Sequence, residues 1–137
     1  MIKIVIAEDQ RMLLGALASL LDLEEDMKVV GRASNGEEAV AMVQQHKPDI
    51  CIMDIEMPAM SGLDAAEALK NSGCKTMILT TFARAGYFER ALKAGVHAYL
   101  LKDSPSEELA LSIRNVMAGR RMYACLLYTS PSPRDTR

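Results

Sequence analysis

Five short runs of the chain are apolar at nearly every position, and helix-like segments separate them. The runs are rich in β-branched residues, Leu and Met, and their apolar residues do not alternate with polar ones. Such continuous runs are typical of parallel strands that helices cover on both faces. The pattern therefore predicts five strands, which are Ile2 to Ala7, Met27 to Arg32, Ile50 to Asp54, Thr76 to Thr80 and His97 to Leu101.

The segments between these runs repeat apolar residues at helical spacing. The resulting stripes are Leu13, Leu17, Leu20 and Leu21, then Ala39, Met42 and Val43, then Ala65, Ala66 and Leu69, and finally Phe88, Ala91 and Leu92. We expect each stripe to pack on the sheet. Strict alternation of strand and helix with short connections gives right-handed crossovers, so we predict an α/β fold with a doubly wound, five-stranded parallel sheet.

Residues that begin and end helices lie near the predicted boundaries. Ser34 with Glu37 predicts a capping box before the second helix, and the run Ser104-Pro105-Ser106-Glu107 predicts the start of the fifth. A left-handed residue commonly closes a helix. The glycines that follow helical stretches, where such a residue is expected, are Gly73, Gly95 and Gly119.

Length and charge narrow the class of protein. A chain of 137 residues, half of them apolar, has the size of one domain with a substantial core. The formal net charge is −2, and no sustained run of Lys or Arg is present. Because a polyanion is held by a basic surface, we do not expect this fragment to bind DNA or RNA by itself.

The three cysteines and the lack of long apolar runs indicate the cellular compartment in which the protein works. Cys51, Cys74 and Cys125 lack the paired spacing of metal ligands, and Cys51 lies in a strand-like run. The chain starts directly with a strand pattern, and no apolar run approaches the roughly 20 residues that cross a bilayer. We therefore expect a reduced, cytoplasmic protein that is neither exported nor bound to a membrane.

Chemically active side chains follow four of the predicted strands. Glu8 and Asp9 follow the first strand, Asp54 ends the third, Thr80 ends the fourth and Lys102 follows the fifth. Because ligands of such sheets bind at the carboxyl ends of the strands, we expect these side chains to converge. Each has a simpler explanation when taken alone, since acids often cap a following helix and a terminal Lys is usually solvated. Their joint occurrence favours a functional site.

The expected cluster suits a hard cation and a phosphoryl group. Glu8, Asp9 and Asp54 offer the oxygen ligands that Mg²⁺ prefers. A divalent cation would neutralise phosphoryl oxygens and so allow Asp54 to attack phosphorus. Thr80 can donate a hydrogen bond to one phosphoryl oxygen, and Lys102 can place a positive charge beside another.

Several short motifs stand out along residues 1 to about 124. They are Ala7-Glu8-Asp9-Gln10, Met53-Asp54-Ile55-Glu56-Met57-Pro58, Gly62, Leu79-Thr80-Thr81, Ala94-Gly95 and Tyr99-Leu100-Leu101-Lys102-Asp103. By these motifs the stretch resembles the receiver domain of bacterial two-component response regulators. The stretch from Gly95 to Leu109 resembles the NarL/FixJ subfamily. The resemblance implies the CheY-like, flavodoxin-like (βα)5 fold with strand order 2-1-3-4-5.

By this resemblance, Asp54 is the phosphoacceptor and receives its phosphoryl group from a sensor histidine kinase. The metal, Mg²⁺ or Mn²⁺, is held by Asp9, Asp54 and the backbone carbonyl of Glu56, with Glu8 binding directly or through water. Thr80 and Lys102 contact the phosphoryl group.

The resemblance also implies a switch, in which the movement of Thr80 is coupled to the aromatic side chain of Tyr99. Taken by its position alone, Tyr99 is an amphipathic residue of the sheet. In the family the change reshapes the face of the fourth helix, fifth strand and fifth helix, and so alters dimerisation. We therefore expect a phosphorylation-dependent homodimer that is not a multiple-turnover enzyme, and the dimer face remains open between the first and fifth helices and the fourth and fifth helices.

Phe82 places a bulky apolar side chain two residues after Thr80, near the mouth of the expected site. A polar residue there could guide water, so we hypothesise that Phe82 slows self-dephosphorylation. The simpler interpretation is a Phe that packs on the loop before the fourth helix.

The last residues depart from the subfamily pattern, in which a helix-turn-helix DNA-binding domain follows the receiver. We assign residues 1–124 to the receiver and interpret residues 125–137 as a non-native, disordered tail, with a natural Ser/Pro-rich tail as the alternative. The full regulator is then expected to bind DNA through a domain missing here.

Three other functions are compatible with a strand-end aspartate. One is a stand-alone CheY-like receiver. A second is an aspartyl-phosphate hydrolase of the dehalogenase-like class, although Glu56 stands where that chemistry commonly has an acid-base Asp. The third is a flavodoxin-like nucleotide binder, which needs a donor-rich loop after the first strand, where Glu8 and Asp9 would repel phosphate.

Overall fold

Strands and helices alternate along the chain as the sequence pattern predicts. The computed structural model describes residues 1–81, 85–102 and 106–123. The strands are β1 (Ile2–Ala7), β2 (Met27–Ala33), β3 (Ile50–Met53), β4 (Lys75–Thr80) and β5 (Ala98–Leu101). The helices are α1 (Arg11–Asp22), α2 (Gly36–His46), α3 (Gly62–Ala68), α4 (Ala85–Lys93) and α5 (Ser106–Met117). Asp54, which we predicted as the last residue of the third strand, lies one position beyond it.

The five strands form one parallel sheet in the order β2-β1-β3-β4-β5, which confirms the predicted topology. The order reverses between β1 and β3, because the chain runs outward to β2 and then returns past β1. A crevice opens above the carboxyl ends of strands at such a reversal, and α/β proteins bind their ligands there. The fold therefore directs attention to the loops that follow β1, β3 and β4.

Helices cover both faces of the sheet, which accounts for the continuous apolar runs. Side chains of one strand alternate between the faces, so a strand covered on both faces can be buried along its whole length, as β3 is. On one face, strand residues pack with α2, α3 and α4, for example Val5, Cys51, Ile78, Ala39, Val43, Ala65 and Ala91. On the other face, they pack with α1 and α5, for example Ile4, Ile52, Met77, Ala18, Leu21, Ile113 and Val116.

The start of α2 differs by one residue from the predicted capping box. The N-cap residue is Asn35, whose side-chain oxygen accepts a hydrogen bond from the backbone N–H of Glu38 at 2.9 Å. The Glu38 carboxylate in turn accepts from the backbone N–H of Ser34 at 2.8 Å and from its hydroxyl at 2.9 Å. The predicted pair of Ser34 and Glu37 is therefore wrong, because Asn35 is an equally good cap. For α5, Ser104 and Pro105 lie outside the described residues.

Gly95 and Gly119 close α4 and α5, as the sequence predicts, but α3 ends at Ala68 with Leu69 as its C-cap, so the expectation that Gly73 closes a helix is wrong. Gly73, Gly95 and Gly119 have φ of 87°, 75° and 95°. At Gly95, the backbone N–H donates to Leu92 at 3.0 Å and the next N–H, of Val96, donates to Ala91 at 3.1 Å. These bonds satisfy carbonyl oxygens that the end of α4 would otherwise leave unpaired.

The two edges of the sheet are irregular. Between β1 and β2 the register shifts, so that Ile4 pairs with Val29 but Val5 pairs with Gly31. At the opposite edge, Met122 forms a parallel bridge with Ala98 of β5. The backbone N–H of Tyr99 donates to Met122 at 2.8 Å, and that of Met122 donates to His97 at 3.0 Å.

Gly62 is required by close packing at the first residue of α3. Its backbone N–H donates to the carbonyl oxygen of Ile55 at 2.9 Å. A Cβ at this position would lie 2.0 Å from the carbonyl oxygen of Asp54. The glycine therefore lets the loop that carries Asp54 lie directly against the start of α3.

Replacing Gly62 by Ala is expected to lower the free energy of unfolding by about 2–4 kcal/mol, because either the loop or the helix must move. The matched control is Gly15→Ala in α1, where a Cβ would meet nothing within 4 Å. That control should raise the free energy of unfolding by about 0.5–1 kcal/mol through helix propensity. Urea denaturation measures both, and equal effects of the two substitutions would contradict the packing argument.

His97 is expected to make stability fall in mildly acidic solution. Its Nδ1 accepts a hydrogen bond from the backbone N–H of Thr76 at 3.2 Å. Burial, helped by the positive charges of Arg121 and Lys75, holds the pKa of His97 below its ordinary value of 6.5. The unfolded chain therefore takes up the proton first, and the stability present above that ordinary pKa is lost as pH falls through the folded-state pKa.

A His97→Asn variant keeps a hydrogen-bond acceptor but cannot titrate. Its free energy of unfolding should vary less with pH than that of the wild-type chain in the range just below the ordinary histidine pKa. Parallel urea titrations over that range provide the measurement. Identical pH profiles for the two proteins would show that His97 does not supply the effect.

Candidate functional site

A cavity of about 290 Å³ opens at the carboxyl ends of the strands. Its lining comes from the loops that follow β1, β3, β4 and β5, which lie far apart in sequence. The residues that line it are Asp9, Gln10, Asp54, Glu56, Thr80, Thr81 and Lys102. The structure thus brings together the strand-end residues that the sequence singled out.

Strand pairing explains why these residues meet. Ala7 of β1 is level with Met53 of β3, so the next residue of each strand projects at the same edge. The backbone N–H of Asp54 continues the ladder by donating to Ala7 at 3.1 Å. The backbone N–H of Lys102 likewise donates to Thr80 at 2.9 Å. Register, rather than any local motif, therefore sets the spacing of the site.

Glu8, Asp9 and Asp54 form an acidic cluster in which one carboxylate oxygen of each lies within 4.8 Å of the others. Glu8 and Asp54 are buried, whereas Asp9 is exposed. Burial raises the pKa of Glu8, hydrogen bonds from Lys102 and the backbone of Gln10 oppose this, and the charge of Asp54 adds to the rise. The cluster therefore costs free energy unless positive charge offsets it.

The acids do more than cap the next helix. The N-cap residue of α1 is Gln10, and its side chain makes no capping hydrogen bond. The Glu8 carboxylate accepts from the backbone N–H of Gln10 at 3.1 Å, but its other oxygen faces Lys102. The capping explanation thus accounts for one oxygen of Glu8 and for neither Asp9 nor Asp54.

Lys102 bridges the two buried acids. Its Nζ lies 2.6 Å from Oε1 of Glu8 and 2.9 Å from Oδ2 of Asp54. Burial lowers the pKa of Lys102, but the hydrogen bonds to Glu8 and Asp54 outweigh that effect, so the net pKa is raised. The ammonium therefore remains charged and offsets part of the negative charge of the cluster.

The Asp54 carboxylate is oriented from two sides. Its Oδ1 accepts from the backbone N–H of Ile55 at 2.7 Å, and its Oδ2 accepts from Lys102 at 2.9 Å. Thr80 is buried and lines the same cavity. A carboxylate held in this way, beside a hydroxyl and an ammonium, can act as a nucleophile toward an electrophile that enters the cavity.

Tyr99 is buried completely, although an amphipathic sheet residue would keep its hydroxyl at the surface. Its ring meets that of Phe88 edge to face, with centroids 5.5 Å apart. The hydroxyl has no hydrogen-bond partner among the described residues. Burial, together with nearby Tyr87, raises the pKa of Tyr99 to about 12. The position of Tyr99 in β5 gave no sign that the hydroxyl would be buried.

One contact of the site was missed by sequence reasoning. The Tyr87 hydroxyl donates a hydrogen bond to Oε2 of Glu56 at 2.9 Å, across 31 positions of sequence. Tyr87 belongs to α4, and neither helical spacing nor a known motif indicates this partner. Phe82, the predicted modulator of the site mouth, lies outside the described residues, as do residues 125–137.

Within the described ranges, no helix combines the length and the apolar character that crossing a membrane requires.

This chain belongs to the response regulator receiver domain family, whose sequence model matches residues 4–114. It is 68% identical over 124 residues to the transcriptional regulatory protein DesR of Bacillus subtilis, covering 90% of this chain and 62% of DesR. It is 40% identical over 131 residues to the oxygen regulatory protein NreC of Staphylococcus epidermidis, covering 93% of this chain and 60% of NreC. The chain thus spans about three fifths of the length of these relatives.

Solved structures show the same fold. A DNA-binding response regulator of the LuxR family from Staphylococcus aureus superposes with a TM-score of 0.81 at 38% identity, covering 85% of this chain and 98% of that one. The receiver domain of a putative NarL from Mycobacterium tuberculosis gives a TM-score of 0.83 at 26% identity, covering 87% and 98%. These matches, to a LuxR-family regulator and to NarL, confirm the NarL/FixJ-type receiver that the motifs predicted.

Lys102→Met is expected to lower the free energy of unfolding by about 2–4 kcal/mol, because it leaves two buried carboxylates without a counter-ion. Saturating Mg²⁺ should restore part of the loss, since a cation that binds the folded acidic cluster stabilises it. Thermal and urea denaturation with and without Mg²⁺ provide the measurement.

The matched control for this substitution is Lys28→Met, an exposed lysine of β2. Such a surface change should stay within about 0.5 kcal/mol of the wild-type value. A Lys102→Met variant no less stable than Lys28→Met would contradict the role given to the ammonium.

Proposed function

We propose that this chain is a phosphoacceptor that receives a phosphoryl group on Asp54 from a sensor histidine kinase. The observation that carries the proposal is the geometry at Asp54, whose two oxygens are held by Ile55 and Lys102 at the floor of the cavity. A carboxylate oxygen of Asp54 forms the new bond to phosphorus. The bond from phosphorus to the kinase imidazole nitrogen breaks, and its electron pair returns to that nitrogen.

The acidic cluster fits a divalent cation, Mg²⁺ or Mn²⁺. Three carboxylates with one lysine leave net negative charge, and their oxygens are close enough to share one ion. We propose Asp9, Asp54 and the backbone carbonyl of Glu56 as ligands, with Glu8 binding directly or through water. The bound cation would neutralise charge on the phosphoryl oxygens.

Lys102 and Thr80 are proposed to hold the phosphoryl group once it is attached. Lys102 already contacts Asp54, so its ammonium can turn toward a phosphoryl oxygen with a small movement. Thr80 lines the same cavity and can donate its hydroxyl to another oxygen. A new dianion that draws Thr80 inward changes the space beside Tyr99, which we propose as the switch residue.

The proposed output is a homodimer that controls DNA binding by a further domain. Relatives of this chain are named transcriptional regulators, and one solved neighbour is named a DNA-binding response regulator. The two candidate dimer faces are the first and fifth helices and the fourth and fifth helices. Exposed apolar side chains occur on all three helices: Met12 and Leu20 in α1, Leu92 in α4 and Leu111 in α5.

The phosphoryl group is proposed to turn over slowly on the receiver itself, without a separate substrate. Membership of the receiver family does not favour a dehalogenase-like hydrolase. We propose that the domain works in the cytoplasm, where the free, buried thiols of Cys51 and Cys74 stay reduced.

Incubation with Mg²⁺ and acetyl phosphate is expected to add one phosphoryl group per chain, and Asp54→Asn should abolish the labelling. Intact-mass spectrometry provides the measurement. The matched control is Asp49→Asn, since Asp49 precedes β3 and binds the backbone N–H of Lys3 at the other end of the sheet. Labelling that persists in Asp54→Asn, or multiple-turnover hydrolysis of a phosphoester by the chain, would contradict the proposal.

A further inference from the structure

Glu56 is a fourth acidic residue of the cavity that stands apart from the other three. It lines the cavity two positions after Asp54. Among the described residues, however, the group of three carboxylates whose oxygens lie within 4.8 Å of one another consists of Glu8, Asp9 and Asp54. The Glu56 carboxylate is engaged elsewhere, because Oε2 accepts a hydrogen bond from the Tyr87 hydroxyl at 2.9 Å.

The donor of this hydrogen bond is held in place by the packing of α4 on α3. Arg90 of α4 forms an ion pair with Asp64 of α3 at 3.1 Å. The ammonium of Lys70, just after α3, donates to the carbonyl oxygen of Lys93 at 3.1 Å. Tyr87 itself is half-buried. Its hydroxyl therefore has a defined position relative to the loop after β3.

The position of the Glu56 carboxylate affects the electrostatic potential inside the cavity. The acidic cluster already has more negative charge than Lys102 can offset. Another carboxylate turned into the cavity would attract a cation more strongly and would repel an anionic phosphodonor. A Glu56 carboxylate inside the cavity would therefore strengthen cation binding and weaken phosphodonor binding.

We propose that Tyr87 is a positioning residue that holds the Glu56 carboxylate against α4 and so keeps a fourth negative charge away from the phosphodonor path. This inference rests on the proposed function of Asp54. It assigns a task to the side chain of Glu56 that is separate from the metal-binding task proposed for its backbone carbonyl. Tyr87 thereby sets both the affinity of the site for the cation and the repulsion that an anionic phosphodonor meets there.

In the Tyr87→Phe variant, we expect two measured quantities to change in opposite directions. The Kd for Mg²⁺ should fall by roughly threefold, since a Glu56 carboxylate that no longer bonds to Tyr87 can turn toward the cavity and add attraction at short range. The KM for acetyl phosphate at saturating Mg²⁺ should rise by roughly threefold, since the same charge repels the donor. The maximal rate of labelling should stay nearly constant.

The experiment uses the full chain and two independent readouts. Isothermal titration calorimetry with Mg²⁺ at constant ionic strength gives the Kd, and the initial rate of Asp54 labelling against acetyl phosphate concentration gives the KM. In a Glu56→Gln background, adding Tyr87→Phe should change neither quantity, because the side chain at position 56 is then neutral. The matched control is Tyr123→Phe, which removes a hydroxyl that donates to Val96 at 2.7 Å, outside the cavity lining.

Several outcomes would overturn the inference. If Tyr87→Phe weakens Mg²⁺ binding and raises the KM together, the hydroxyl only stiffens the loop. If neither quantity changes, or if the change persists in Glu56→Gln, Tyr87 does not act through that carboxylate. A wild-type chain that is not labelled at Asp54 would refute the proposed function instead, whereas the Mg²⁺ titration would still report on the position of Glu56.

Discussion

The site depends on the contact of the Lys102 ammonium with two buried carboxylates. A parallel sheet brings the ends of β1 and β3 together, and here both are followed by acids. Without a positive group, Glu8 and Asp54 would repel one another in surroundings that solvate charge poorly. Lys102 follows β5, at the edge of the sheet, and its long side chain crosses the end of β4 to reach them. The five-stranded fold thus provides its own counter-ion from its last strand.

Much of the fold was predictable, because a strand that is buried on both faces of the sheet needs apolar residues at consecutive positions of the sequence. The continuous apolar runs reveal parallel strands, and the strict alternation with helical stripes allows few topologies. Glu8, Asp54, Thr80 and Lys102 were predictable for the same reason, since each directly ends or follows such a run. Strand register then brings them together without any further information.

Features that depend on side-chain competition or tertiary contacts were not predictable in the same way. Ser34 and Asn35 are both good N-cap residues, so only the packed chain decides between them. Tyr99 occupies a strand position that suits either a buried or a surface hydroxyl, and its burial depends on where Phe88 of α4 lies. The bond between Tyr87 and Glu56 joins a helix to a loop, and no periodic pattern records such a pair.

The irregular borders of the sheet have a consequence for association between copies of the domain. A strand with a free, straight edge offers unpaired backbone groups to any other strand, which favours uncontrolled aggregation. At β2 the shifted register disrupts a flat edge, and the exposed side chains of Lys28 and Arg32 add charge there. At β5 the Met122 bridge occupies hydrogen-bonding positions that a foreign strand would need. Both edges of the described sheet therefore resist backbone pairing with a strand from another copy.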